Sequence, residues 1–248
     1  MKILYIFPHP DDESFGPAGA IHQQASMGHA VHLLTLTRGG ATQARLKLNL
    51  SVEQMGEVRF AEMLKVKEVL GLETMDVLDF PDSNLKELDP RILEEVVKQY
   101  ITKIQPDVVI TYPVHGGSGY HDHLVTYAVV KRAFLDLRDN GESYLKRLAF
   151  FTMRDNNKPT IQNDGWPRLK LSEDALIDCI TPLRDEDVQK MKDALLCYET
   201  YQEMVTKIGV VEKIGRSVHF EIAFEDHKPP LTDITEKIVL FDDQRSRE

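Results

Sequence analysis

At 248 residues with 42% hydrophobic side chains, the chain is long enough for one large α/β domain with a sizeable core. A net charge of −10, spread rather than collected in a tail, argues against nucleic acid as a main partner and against an anionic membrane surface. Two cysteines without a Cys-x-x-Cys spacing, and a first strand that starts at residue 2, point to the cytoplasm; no apolar run has the length of a membrane span.

Lys2 to Phe7 is an unbroken apolar run of the kind that forms a strand buried on both faces. It runs into Pro8-His9-Pro10-Asp11-Asp12-Glu13, a stiff turn holding an imidazole and three carboxylates. Ser14 to Met27 reads as a helix ended by Gly28, and Ala30 to Thr37 as the second strand, followed by the loop Arg38-Gly39-Gly40-Ala41-Thr42. Ser51 to Leu70 is an amphipathic helix closed by Gly71. Met75 to Phe80 is a third strand, with Pro81-Asp82-Ser83-Asn84 at its end. Asp89-Pro90 caps a helix to about Lys103. Asp107 to Tyr112 is the fourth strand, leading into a glycine-rich loop with His115, Tyr120, His121, Asp122 and His123, then a helix to about Leu137. The alternation predicts a doubly wound, mostly parallel, Rossmann-like sheet.

The chain is read as one domain, with a regular core over residues 1–137 carrying the site and a less regular part over 138–248 shaping the substrate cleft. In that second part Arg147 to Thr152 reads as a strand, Asp185 to Tyr201 as a helix, Val218 to Phe224 as a sheet-edge strand, and Asp155 to Arg168, with Asn156, Asn157 and Trp166, as a loop.

Strands one to four each end in polar, reactive-looking residues, and a parallel sheet brings all four ends to one edge. His9 and Asp12 suit a divalent transition metal, but a catalytic zinc site usually has three protein ligands and an open position, for which His123 is the candidate third. Imidazole and carboxylate also accept iron, manganese or cobalt. Gly39-Gly40 and Gly116-Gly117 lack phosphate-loop spacing, which counts against a non-catalytic nucleotide-binding module.

His9-Pro10-Asp11-Asp12-Glu13 with Gly16 and Gly19, Arg59-x-x-Glu62, Pro81-Asp82-Ser83 and the later His121-Asp122-His123 together resemble the LmbE-like (GlcNAc-PI de-N-acetylase) family over residues 2 to 137. The fuller phrases around Arg38, Asp82 and His123 resemble its bacillithiol-pathway deacetylases of the second subtype. The resemblance implies an LmbE-like fold and a zinc-dependent hydrolase that removes acetate from an amino sugar, N-acetylglucosaminyl-malate in that branch. It implies His9, Asp12 and His123 as ligands of one Zn²⁺, and Asp11 as the base acting on the metal's water. Arg59 and Asp82 match positions that contact or organise the sugar, and Arg59 or Arg38 would pair with a malate carboxylate. A homo-oligomer is compatible with the resemblance.

Relatives read His-Pro-Asp-His where this chain reads Tyr120-His121-Asp122-His123, so the group that polarises the acyl oxygen is open among Tyr120, His121 and His115. His121 is favoured there, since an imidazolium donates to an oxyanion more strongly than a phenol. The alternative functions are another LmbE-like amidase, on a different N-acetyl sugar or a thiol-sugar conjugate.

Overall fold

The computed structural model describes residues 1–154, 169–209 and 215–238. Strand β1 (Lys2–Phe7) lies inside the sheet and is covered on both sides: Ile3, Tyr5 and Phe7 enter one apolar cluster, Leu4 and Ile6 the other. It pairs in parallel with β2 (Ala30–Thr37) and β4 (Val108–Thr111). Strand β3 (Thr74–Phe80) extends the parallel sheet beyond β2, and β5 (Arg147–Thr152) extends it beyond β4.

The helices follow local chemistry. Helix α1 (Ala18–Ser26) starts later than the sequence suggests, because residues 10–17 form turns around the acidic motif. A short α2 (Ala44–Lys47), unheralded by any pattern, precedes α3 (Val52–Leu70). Helix α3 has a capping box between Ser51 and Gln54 and ends on left-handed Gly71. Asp89 caps α4 (Pro90–Ile104) by accepting from the Arg91 N–H. Helix α5 (His121–Asp139) starts two residues before His123.

Beyond β5 the sheet turns antiparallel. Strand β6 (Cys179–Pro182) and β7 (Ser217–Ile222) complete the order β3-β2-β1-β4-β5-β7-β6. The expected edge strand β7 is therefore internal, and the edge belongs to β6. Four residues ending in a proline are too short for alternation to reveal. The helix expected over 185–201 is α6 (Asp185–Cys197), then a 3₁₀ turn over Glu199–Tyr201 and α7 (Gln202–Ile208). Helix α6 packs on α1 and α3, which carries the residues after it to the C-terminal edge of the parallel strands. The loop read over Asp155 to Arg168, with Trp166, lies outside the described residues. No helix among the described residues is long and apolar enough to cross a membrane.

Candidate active site

The turn after β1 places His9 between two groups of carboxylates. Its Nδ1 lies 3.6 Å from Asp12 Oδ2, while its Nε2 lies 3.1 Å from Asp122 Oδ2 and 3.3 Å from Asp82 Oδ1. Burial alone would lower the imidazole's pKa, but hydrogen bonds to Asp12, Asp122 and Asp82 hold it well above its ordinary value. This crowd of carboxylates favours a positive charge beside the ring, which a proton or a bound cation can supply.

His123, in the first turn of α5, completes one trio. Its Nδ1 donates to the Gly116 carbonyl at 2.8 Å, so its Nε2 carries a lone pair, and that atom faces Asp12 Oδ1 at 3.4 Å. Burial lowers the pKa of this ring, which keeps it a neutral donor. A lone pair facing a carboxylate oxygen across such a gap favours a cation between them. Two imidazoles and one carboxylate are a donor set that zinc accepts. Gly116 is required for this arrangement, since its φ is 64° and a Cβ there would lie 2.9 Å from His123 Cβ.

A second trio, His9, Asp82 and Asp122, is equally compact. Its carboxylates, like that of Asp12, accept hydrogen bonds from neighbouring groups. Asp122 accepts from the Ser83 and Leu85 N–H groups at 2.7 and 3.1 Å, and Asp82 accepts from the Ala41 N–H at 2.6 Å. Asp122 is thus a clasp joining α5 to the loop after β3, and it fixes the far nitrogen of His9. Both trios could hold a divalent metal, and the cluster of His9, Asp12 and His123 is distinguished by its two imidazoles and the lone pair on His123 Nε2.

Tyr112, at the end of β4, was not singled out from sequence. Its hydroxyl donates to Asp12 Oδ1 at 2.6 Å and its ring stacks on His123 with centroids 4.2 Å apart. An aromatic residue at a strand's C-terminal end was the only signal available. Glu13 is buried and points away, with Oε1 accepting from Ser14 Oγ and Tyr198. Burial pushes its carboxyl up to about 7.

Asp11 adopts φ 88°, rare for a residue with a side chain, and this separates the partners of two consecutive aspartates. Asp12 joins the trio with His9 and His123, whereas Asp11 Oδ2 accepts from Arg59 Nη2 at 2.8 Å. Burial raises the Asp11 carboxyl to about 6 against the opposing pull of Arg59.

Arg59, at a position expected to contact or organise the sugar, is buried, with only 2% of it exposed. Its guanidinium donates to Asp11, to the Pro10 and Gly39 carbonyls, and to the Tyr201 hydroxyl. It lies beneath Asp11, because the buried face of α3 carries it inward. Arg38 pairs with Glu57 at 2.8 Å and packs over the Phe60 ring. Gly39 and Gly40 serve close packing: a Cβ would lie 2.8 Å from Pro10 Cδ and 2.1 Å from the Val52 carbonyl oxygen, respectively.

Of the three candidate polarising groups, His115 is tied down on both sides. Its Nδ1 accepts from the Gly117 N–H at 3.1 Å, and its Nε2 lies 3.2 Å from Ser172 Oγ. His121 is exposed, and no hydrogen bond or ring contact joins it to the trio among the described residues. Tyr120, also exposed, has its ring 5.8 Å from that of His123.

Comparison with known proteins gives the family. The family model of the GlcNAc-PI de-N-acetylases (PIG-L) matches residues 4–134, more than half of the chain. The chain belongs to the GlcNAc-PI de-N-acetylase family. It is 32% identical over 152 residues to a mycothiol S-conjugate amidase of Streptomyces coelicolor, covering 54% of this chain and 52% of that protein. It is 27% identical over 150 residues to a probable N-acetyl-alpha-D-glucosaminyl L-malate deacetylase 2 of Bacillus anthracis, covering 60% and 66%. Among the curated relatives it matches, the chain spans about half the length of several. Its fold is shared by the 4-carboxy-2-hydroxymuconate hydratase of Pseudomonas putida, with a TM-score of 0.63, 17% identity, and coverage of 90% of this chain and 96% of that one. A fold common to a hydratase and to deacetylases does not select the reaction, so the site residues must.

Proposed function

We propose that the protein is a metal-dependent N-deacetylase of small N-acetyl amino sugars, with N-acetylglucosaminyl-malate as the substrate. The observation that carries the reading is a carboxylate outside the ligand trio but adjacent to it: Asp11, held by Arg59 next to Asp12. Held by His9, Asp12 and His123, a divalent metal such as zinc supplies Lewis acidity toward a carbonyl oxygen and lowers the pKa of water.

Asp11 Oδ2 is occupied by Arg59, so Oδ1 is the atom that takes a proton from the attacking water. The same oxygen returns the proton to the leaving amine. Tyr112 and the Gly116 carbonyl hold Asp12 and His123 in orientation throughout. Tyr120 is better placed than His121 to donate to the developing oxyanion, since its ring neighbours His123.

The malate assignment draws on the bacillithiol-type motifs and on the likeness to the Bacillus anthracis protein. It receives no help from Arg59 or Arg38, whose guanidinium groups are engaged elsewhere. That engagement, with the likeness to the S-conjugate amidase, supports a second reading in which the substrate is a thiol-sugar conjugate. Acetate release from N-acetylglucosaminyl-malate by the metal-loaded protein, compared with N-acetylglucosamine and with a conjugate amide, separates the two. Preference for the malate conjugate, lost in Asp11→Asn, is the expected result; cleavage of the conjugate alone would transfer the assignment to the amidase.

A further inference from the structure

Tyr198 and Tyr201 lie well beyond residues 4–134, the segment matched by the family model. We infer that the turn over 198–201 positions the proposed base, with Tyr198 and Tyr201 as positioning residues; this rests on the deacetylase reading above. The turn is fastened to α3 by Glu62, whose two carboxylate oxygens accept from Thr200 N–H and Oγ1, each at 2.9 Å. The Arg59-x-x-Glu62 motif thereby acquires a joint role. Arg59 reaches the base, and one turn along the same helix Glu62 grips the segment that holds Arg59 in place.

The Tyr198 hydroxyl is fully buried and bridges both sides of Asp12. It accepts from the Asp11 N–H at 2.8 Å and donates to Glu13 Oε1 at 2.7 Å. It therefore holds the backbone at the residue whose φ of 88° separates base from ligand. The Tyr201 hydroxyl accepts from Arg59 Nη1 at 2.5 Å and donates to Thr42 Oγ1 at 2.7 Å. The Arg59 guanidinium also lies over the Tyr201 ring, 4.4 Å from its centroid. With Nη1 held by Tyr201, the other amino group Nη2 bonds to both Asp11 Oδ2 and the Pro10 carbonyl. Packing alone needs only the two rings. Both hydroxyls end on the base's own backbone and on its guanidinium partner, which is what a positioning role requires.

The test uses the full-length, metal-loaded protein with Tyr198→Phe and Tyr201→Phe, which keep the rings. A small displacement of a reacting group can cost about 10²-fold, so kcat is expected to fall about 10- to 100-fold with KM and bound metal unchanged. Hydrogen exchange at the Asp11 amide, followed by NMR, should accelerate in Tyr198→Phe. Tyr5→Phe is the control, because it removes an equally buried hydroxyl bonded to Gln24 and touches no site residue; its kcat and Asp11 exchange should match wild type. Should Tyr198→Phe fail to fold, Tyr201→Phe carries the kcat test and Thr200→Val, which loosens the turn, carries the exchange test. Unchanged kcat and unchanged exchange in the tyrosine variants, or a loss equalled by Tyr5→Phe, would overturn the inference. Should the wild-type protein release no acetate from any N-acetyl sugar, the deacetylase reading fails by itself. Asp11 exchange then decides whether the Tyr198 bridge holds the backbone: acceleration supports it and no change overturns it.

Discussion

Strands β1, β3 and β4 are followed by the segments that carry His9, Asp11, Asp12, Asp82 and His123, whereas β5 to β7 and α6 supply none of the candidate ligands. The antiparallel half instead provides buttresses. Arg147 pairs bidentately with Glu225 and donates to the carbonyls of Ile234 and Glu236, which ties the last described segment to the sheet. Ser172 meets His115, and the 198–201 turn reaches Arg59 and Asp11. For β6 and β7 the difference follows from strand direction, while β5, still parallel to β4, lies one strand further from the β1 and β4 ends where the cluster sits. Parallel strands present all their C-terminal ends at one edge, whereas antiparallel strands alternate and leave that half free to brace.

Substitutions should therefore separate into two kinds. The largest effect is expected at the trio: Asp12→Ala or His123→Ala should abolish both metal binding and acetate release, by metal analysis and activity on the same sample. Asp11→Asn should lose about 10²–10⁴ in kcat while keeping its metal; substantial turnover would remove Asp11 from the role of base. Asp122→Asn removes one acceptor from the Ser83–Leu85 clasp and changes the partner of His9 Nε2, so metal affinity should drop about 10–100-fold. An equal Tm loss in all of these would break the comparison, because groups at the strand ends should matter to metal and turnover more than to folding.

The smallest effect belongs to the bracing half. Asp187 accepts from Arg184 and His22, and although burial opposes ionisation, these partners hold its pKa below the ordinary value. Its folded pKa is the lower one, so the stabilisation is present above the unfolded value near 3.9 and is lost as pH falls through the folded value. Asp187→Asn should cost about 1–3 kcal/mol at pH 7 and progressively less below pH 4, with metal affinity unchanged. A constant cost across that range in denaturant titrations would dissociate the pair from stability.

Apart from the short α2 and the late start of α1, the elements of the first half were legible because their signals are local. An apolar run, Ser51 with Gln54, Gly71 and Asp89-Pro90 each act over a few residues. Strand β6 and helix α7 were not legible, since the first is too short for alternation and the second follows a 3₁₀ turn that resembles a continuing helix. At the site, His9, Asp11, Asp12 and His123 stood out by residue type and crowding. Tyr112, Tyr198 and Tyr201 did not, because in sequence a tyrosine looks the same whether its hydroxyl is idle or bonded to a reactive group. Arg59 was visible as a cation, but the direction it faces is set by how α3 packs.

By itself, the sequence determined the βα alternation, the parallel sheet, and the gathering of acidic and imidazole groups at one edge, since hydrophobic period and strand direction are local and then geometric. Only the tertiary structure decided which nitrogen of His123 carries the lone pair, that Asp122 is a clasp, and that Arg59 lies beneath Asp11. Those outcomes depend on hydrogen bonds between residues far apart in the chain, such as Asp11 with Tyr198 and Arg59 with Tyr201, and no spacing rule encodes such partners.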